Sequence, residues 1–234
     1  MTDPVQKRWI ELAPGYAGYL ALPPTGRGPG LLLLQEIFGV NEHIRSVADQ
    51  YALDGFVVLA PDLFWREAPR VELGYSGPDM ARGRTLAQAY AAEQSQEDLG
   101  VAARVLRERA EVGVAKIGAV GYCMGGRMAW LAAATVGVDA AVCYYGGGIQ
   151  QNLHHAAAVS CPVQFHHAGH DEHIPPEAVA AVRNAMPAER AEFHLYDAAH
   201  HGFNCWARAS YHAPSAALAH GRSLSFLAAK LFAT

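Results

Sequence analysis

One stretch constrains this chain more than any other: residues 116–130, KIGAVGYCMGGRMAW. Its first half is a short apolar run, with Ile117, Ala119 and Val120 between Gly118 and Gly121, and it reads as a buried strand. The second half is apolar and helix-forming. Between them, Gly121-Tyr122-Cys123-Met124-Gly125-Gly126 has the G-x-nucleophile-x-G spacing of a strand that turns directly into a helix. Such a turn crowds its own backbone, so a Cβ at 121 or 125 would clash and glycine is needed. Cys123 is thereby placed at a helix N-terminus, where free amides and the helix dipole favour a thiolate and, later, an oxyanion. A glycine-rich turn around an inert buried cysteine has the same local pattern, so the residues that accompany it decide.

A chain of 234 residues that is 51% hydrophobic can bury one substantial core, and a single domain over residues 1–234 is expected. The net charge of −4 and the lack of any Lys/Arg run argue against nucleic acid or an anionic membrane as partner, which leaves small molecules. No apolar signal core opens the chain, and no stretch approaches the roughly 18 apolar residues of a membrane helix. The expectation is a soluble, cytoplasmic monomer without a cofactor. Cys123, Cys143, Cys161 and Cys205 have neither CxxC spacing nor the density of a disulfide scaffold and read as free thiols.

Along the chain, residues 7–22 alternate around Pro14-Gly15 and predict an antiparallel hairpin at a sheet edge. A Pro/Gly loop precedes the all-leucine strand 31–34, and a helix follows from an N-cap at Asn41 to about residue 54. Residues 55–60 form the next buried strand. Residues 63–83 have no clear period and read as a functional loop, before a long helix predicted over 85–110. Beyond the elbow come strands at 140–145, 163–167 and 191–196 and helices at 176–186 and 215–231. This alternation is the signature of an α/β fold, a mostly parallel doubly wound sheet with helices on both faces and ligands beyond the carboxyl ends of its strands.

The order of acids and histidines carries the chemistry. Asp171, in AGHDEHIPP, follows one strand, and His201, in AHHGF, follows the next. Nucleophile, acid, then histidine is the order in which an α/β-hydrolase fold delivers a catalytic triad. The imidazole would take the thiol proton and return it to a leaving group, while the carboxylate fixes its tautomer. His200 competes with His201, but neighbours on an extended segment point to opposite sides. His201 is preferred because Gly202-Phe203 follows it, as in the family named next.

The segments LLLLQEIFGVN, APDLFWR, GAVGYCMGGRMAW, YYGGGI, HAGHDEHIPP and HHGF together resemble the dienelactone hydrolase family, the carboxymethylenebutenolidases, from about residue 18 to 232. The resemblance implies hydrolysis of a lactone ring in a carboxylate-bearing substrate, within bacterial breakdown of aromatic compounds. It implies Cys123 as nucleophile, Asp171 as acid, His201 as base, and Glu36 as a partner that helps form the thiolate. A carboxylate directly after an all-leucine strand is partly desolvated, which should raise its pKa. The oxyanion hole would be the backbone N–H groups of Ile37 and Met124. In the family an arginine stands two residues after the motif's phenylalanine; this chain has Cys205 there and Arg208 three residues on. Either Arg208 reaches back or the carboxylate specificity has changed. A second family arginine corresponds to Arg82 or Arg84. Tyr145 matches a tyrosine near the pocket, and Phe38, Trp65 and Tyr90 are candidate walls.

Three other readings compete. The same fold could act on other small esters or thioesters. The histidines 166, 167, 170, 173, 200 and 201 could serve a metal, although no HExxH or paired-cysteine signature is present. Cys123 could be a redox sensor, although no cysteine lies near it in sequence to resolve a sulfenic acid.

Overall fold

A computed structural model describes residues 4–90 and 92–232, and in it the strands form an eight-stranded sheet of order β1-β2-β4-β3-β5-β6-β7-β8. The hairpin of β1 (Gln6–Ala13) and β2 (Tyr16–Leu22) forms one edge. β2 pairs antiparallel with β4 (Val57–Pro61). From there the sheet is parallel through β3 (Gly30–Leu34), β5 (Ile117–Tyr122), β6 (Ala140–Tyr144), β7 (Val163–His170) and β8 (Ala191–His200).

The leucine run of β3 shows how the sequence builds two cores. Successive strand residues face opposite sides. Leu32 and Leu34 accordingly join the core under α3 (Ala92–Arg107) and α4 (Met124–Thr135), while Leu31 and Leu33 join the core under α1 (Glu42–Leu53) and α6 (Ala213–Leu231). Helix α1 starts where expected, because the Asn41 side chain accepts from the Ile44 N–H at 3.2 Å.

Between β4 and β5 the structure departs from the sequence reading. Residues 85–110 are not one helix. Helix α2 (Gly77–Ala89) begins earlier, with Ser76 as N-cap and Pro78 in its first turn, and ends where Tyr90 turns to an extended backbone (φ −74°, ψ 93°) before α3. The break is held by Asp98, which is 1% exposed. Its carboxylate accepts from Arg66 Nη1 at 2.7 Å, Tyr90 Oη at 3.1 Å and Trp65 Nε1 at 3.2 Å. Two short 3-10 turns within Ile149–Ala158, separated by a kink at Asn152 (φ −119°, ψ 19°), link β6 to β7 and were not suggested by the sequence, and β7 and β8 each run to a histidine several residues beyond the expected ends. Helix α5 (Pro176–Ala185) joins them.

Strand register sets what stands at the carboxyl edge. Leu34 is level with Gly121, Tyr122 with Tyr144, and His170 with His200. One or two residues further on, Glu36, Cys123 and Tyr145 leave three neighbouring strands at one height, and Asp171 leaves β7 beside His201.

The elbow depends on glycine as its spacing predicted. A Cβ on Gly121 would overlap the Gly125 carbonyl oxygen, and one on Gly125 would overlap that of Leu34. Both obstacles are backbone and cannot swing away, so Gly125→Ala should lower stability by at least about 3 kcal/mol. Gly221→Ala, in the exposed face of α6 where a Cβ meets nothing within 4 Å, should instead be neutral or gain up to about 1 kcal/mol. Urea unfolding of the two variants checks this, and equal effects would show that the elbow does not need its glycine.

Candidate active site

Cys123 sits on the elbow with φ 56° and ψ −115°, a left-handed backbone that side chains other than glycine rarely adopt. Its N–H donates to the Tyr144 carbonyl at 3.0 Å and its carbonyl accepts from Gly126 N–H at 3.0 Å, so the strained residue is pinned from both sides. Such strain clusters at functional sites. Cys123 is partly exposed, whereas Cys143, Cys161 and Cys205 are buried; all four are free thiols.

The nucleophile candidate opens into a cavity of about 350 Å³ at the carboxyl ends of β3 and β5. Ile37, Phe38 and Met124 line it beside the thiol, Met80, Arg84, Ala87 and Gln88 come from α2, and Arg127, His173, His201 and Arg208 supply polar edges. A larger groove of about 670 Å³ lies between β8 and α6, but neither Cys123 nor His201 lines it.

His201 is buried, and its Nδ1 lies 2.9 Å from Asp171 Oδ2. The other oxygen of Asp171 accepts from the backbone N–H groups of His173 and Ile174 at 2.8 and 3.1 Å. The Tyr145 ring packs edge-on against the imidazole at 5.0 Å, and His173 does the same at 4.9 Å. Nε2 of His201 has no hydrogen-bond partner among the described residues. Burial alone would make His201 less basic. The negative charge that Cys123 can carry, together with the Asp171 carboxylate, outweighs this and raises its pKa to about 10. Burial likewise pushes Asp171 upward, but His201 and the His173 amide hold it below the usual carboxylate range. His200 is exposed and faces His170, so the alternative histidine turns away from the cavity.

Glu36 is 1% exposed, just beyond the end of β3. Burial raises its pKa, and the nearby Arg208 and His201 only partly oppose this. Arg208 does reach back: its Nη1 donates to Glu36 Oε1 at 2.9 Å, while Oε2 has no hydrogen-bond partner among the described residues. Room for the guanidinium exists because residue 202 is glycine, with φ 81°; a Cβ there would overlap it. Cys205, which takes the family arginine's position, is buried instead, and burial beside Glu36 pushes its pKa up to about 12.

The remaining candidates divide. Arg84 lines the cavity, while Arg82 is exposed on α2 and does not, which separates that pair. Phe38 is a wall. Trp65 and Tyr90 are not: both bond Asp98, and Trp65 stacks on Tyr16 at 5.3 Å. Tyr145 is fully buried beneath His201 rather than facing the cavity. The sequence reading missed Arg127, Met80, Gln88 and His173. Arg127 had a signal, as the lone charged residue in the apolar helix MGGRMAWLAAAT. The clustered histidines do not converge: His166 bonds Tyr196 and Gln164, and among the described residues no three His, Cys, Asp or Glu side chains are grouped to hold a metal ion. No helix among the described residues is long and apolar enough to cross a membrane.

The sheet order, the elbow and the acid and histidine at successive strand ends define an α/β-hydrolase fold. Over 96% of this chain it superposes with a TM-score of 0.85 on 98% of the crystal structure of a putative dienelactone hydrolase from Klebsiella pneumoniae, at 29% identity. In sequence, the carboxymethylenebutenolidase of Pseudomonas putida is 34% identical over 218 residues, 91% of each chain. That of Pseudomonas sp. strain P51 is 37% identical over 190 residues, covering 79% of this chain and 78% of its own. The profile of the dienelactone hydrolase family matches residues 16–231, and the chain belongs to that family. It is thus an ester or lactone hydrolase.

If thiol and imidazole act on one another across the cavity, proton titration of His201 followed by NMR should give a midpoint near 10 in the native protein and a lower one in both Cys123→Ala and Asp171→Asn. An unmoved midpoint in Cys123→Ala would place the two groups out of contact.

Proposed function

We propose that this chain opens the lactone ring of a dienelactone-type, carboxymethylenebutenolide substrate through Cys123, His201 and Asp171, by way of an acyl-enzyme. The observation that carries the reading is the His201 ring: one nitrogen is held by Asp171 at 2.9 Å, and the other is unpartnered in the cavity that Cys123 lines. The names of the Pseudomonas relatives support the substrate class.

The Cys123 thiolate attacks the lactone carbonyl carbon. The oxygen that becomes an oxyanion is met by the N–H of Met124, first in α4 and without an intrahelical acceptor, and by that of Ile37 across the cavity. Collapse of this intermediate forms a thioester and breaks the ring C–O bond. The departing enolate is a good leaving group and stays tethered, so cysteine can serve where an amide substrate would demand stronger acid assistance. Water then attacks the thioester, the carboxylate product leaves, and the thiol is restored. Glu36, weakened as an acid by burial and with Oε2 free, is suited to take the thiol proton when substrate enters. His201 passes protons between sulfur, leaving group and water.

This reaction belongs to the breakdown of aromatic compounds, with the chain acting as one α/β domain, a monomer in the cytoplasm. Four free cysteines suit a reducing compartment. The position of Cys205 favours one rival, a hydrolase of neutral esters or thioesters.

The test compares a dienelactone with p-nitrophenyl acetate. Cys123→Ala should lower kcat/KM on both by at least about 10³-fold, and the wild type should prefer the dienelactone. Cleavage of the neutral ester alone would favour the rival. Full activity in Cys123→Ala would overturn the triad.

A further inference from the structure

Helix α4 carries one charged residue, Arg127, and it stands where the helix gains least from it. A cation in the first turns opposes the helix dipole, and no acidic residue occupies the first turn of α4 to compensate. Burial disfavours the charge as well and lowers the arginine pKa, opposed by Cys123 alone. Among the described residues Arg127 makes no ion pair or side-chain hydrogen bond. Arginines drawn largely out of water are ordinarily paired, so two costs stand here with only the neighbouring Cys123 to offset them.

The fold nonetheless makes room for this side chain. Arg127 lies four residues, about one turn, beyond Cys123, which puts guanidinium and thiol on one face of the helix. Both line the 350 Å³ cavity. The guanidinium rests on the glycine run after β6, where Gly148 adopts φ 87° and a Cβ would stand 2.9 Å from Arg127 Nη1. Arg208 also points inward, but Glu36 already compensates it at 2.9 Å. Arg84 is exposed on α2, at the rim.

We propose that Arg127 anchors a carboxylate of the substrate, so that this cavity selects anionic esters or lactones through a cation on the nucleophile's own helix. The inference rests on Cys123 being the nucleophile. The guanidinium's planar fork can hold a carboxylate through two parallel N–H···O bonds and would supply the partner that the protein withholds.

Two measurements test it. The first compares alkylation of Cys123 by iodoacetate and by its neutral counterpart iodoacetamide, with Cys123→Ala as the blank. The second compares kcat/KM for p-nitrophenyl hemisuccinate and p-nitrophenyl butyrate. In Arg127→Met both anion-to-neutral ratios should fall, the kinetic one by about 10- to 100-fold. Arg127→Lys should recover part of each. Ratios that do not move overturn the proposal. An equal loss on both esters and with both alkylating reagents is that outcome, because Arg127 would then act on the thiol rather than on the substrate. Full esterase activity in Cys123→Ala would refute the proposed nucleophile, and the alkylation ratio would still decide the role of Arg127.

Discussion

The site depends on backbone packed directly against backbone at the end of two neighbouring strands. Gly125 of α4 lies against the Leu34 and Gln35 carbonyls at the end of β3, Gly126 lies against Tyr144 and Gly146 beyond β6, and Gly121 lies beneath the first turn of the helix. No side chain separates these segments. The separations among Glu36, Cys123 and Tyr145 are therefore set by main chain, which is stiffer than any rotamer. A positive φ at a non-glycine residue costs about 1–3 kcal/mol. The hydrogen bond from Cys123 N–H to Tyr144 and the packing of α4 on the sheet keep the residue there. The nucleophile candidate is thus held in place by the same contacts that join α4 to β3 and β6.

Two buried charge pairs then define the electrostatics. Asp171 and His201 lie on successive strand ends; Glu36 and Arg208 span 172 residues of sequence. An unpaired buried carboxylate would cost several kcal/mol, and each cation offsets that cost at one oxygen. The carboxylates differ in what remains. Both oxygens of Asp171 accept hydrogen bonds, which holds the carboxylate in place against His201. Glu36 keeps Oε2 free and its pKa raised, which leaves it able to accept a proton. Two carboxylates in one site are given different chemistry by the number of donors around them.

What could be read from the sequence follows from how local each feature is. Cys123, Asp171 and His201 each follow a predicted strand, and strand ends in a parallel sheet converge on one edge, so their order pointed to one site, while the resemblance of His201-Gly202-Phe203 to the family singled out His201 from His200. The inward reach of Arg208 was not legible, because it depends on the positive φ of Gly202 and on a turn between the two. Trp65, in the aperiodic segment 63–83, and Tyr90, on the helix expected over 85–110, stood as candidate pocket walls on residue type alone. Asp98, whose residue type says nothing of its burial, draws both away and also divides the long helix. Arg127 was visible as a charge in an apolar helix, but its meaning required the glycine floor supplied by a different segment.

The raised basicity of His201 has a consequence for the two halves of the proposed reaction. Much of that basicity comes from the negative charge on Cys123. While the thiolate exists, the proton is held firmly on the imidazole, which is then an acid and a poor base. Acylation turns the sulfur into a neutral thioester and removes that charge. Burial, the largest influence working against protonation, is then opposed by Asp171 with no thiolate beside it. In the proposed acyl-enzyme the imidazole pKa would fall, and it would release its proton to the enolate or to solvent just when the incoming water needs a base. In the proposed reaction a single histidine would therefore serve as acid and base in turn, with the bond at Cys123 setting which.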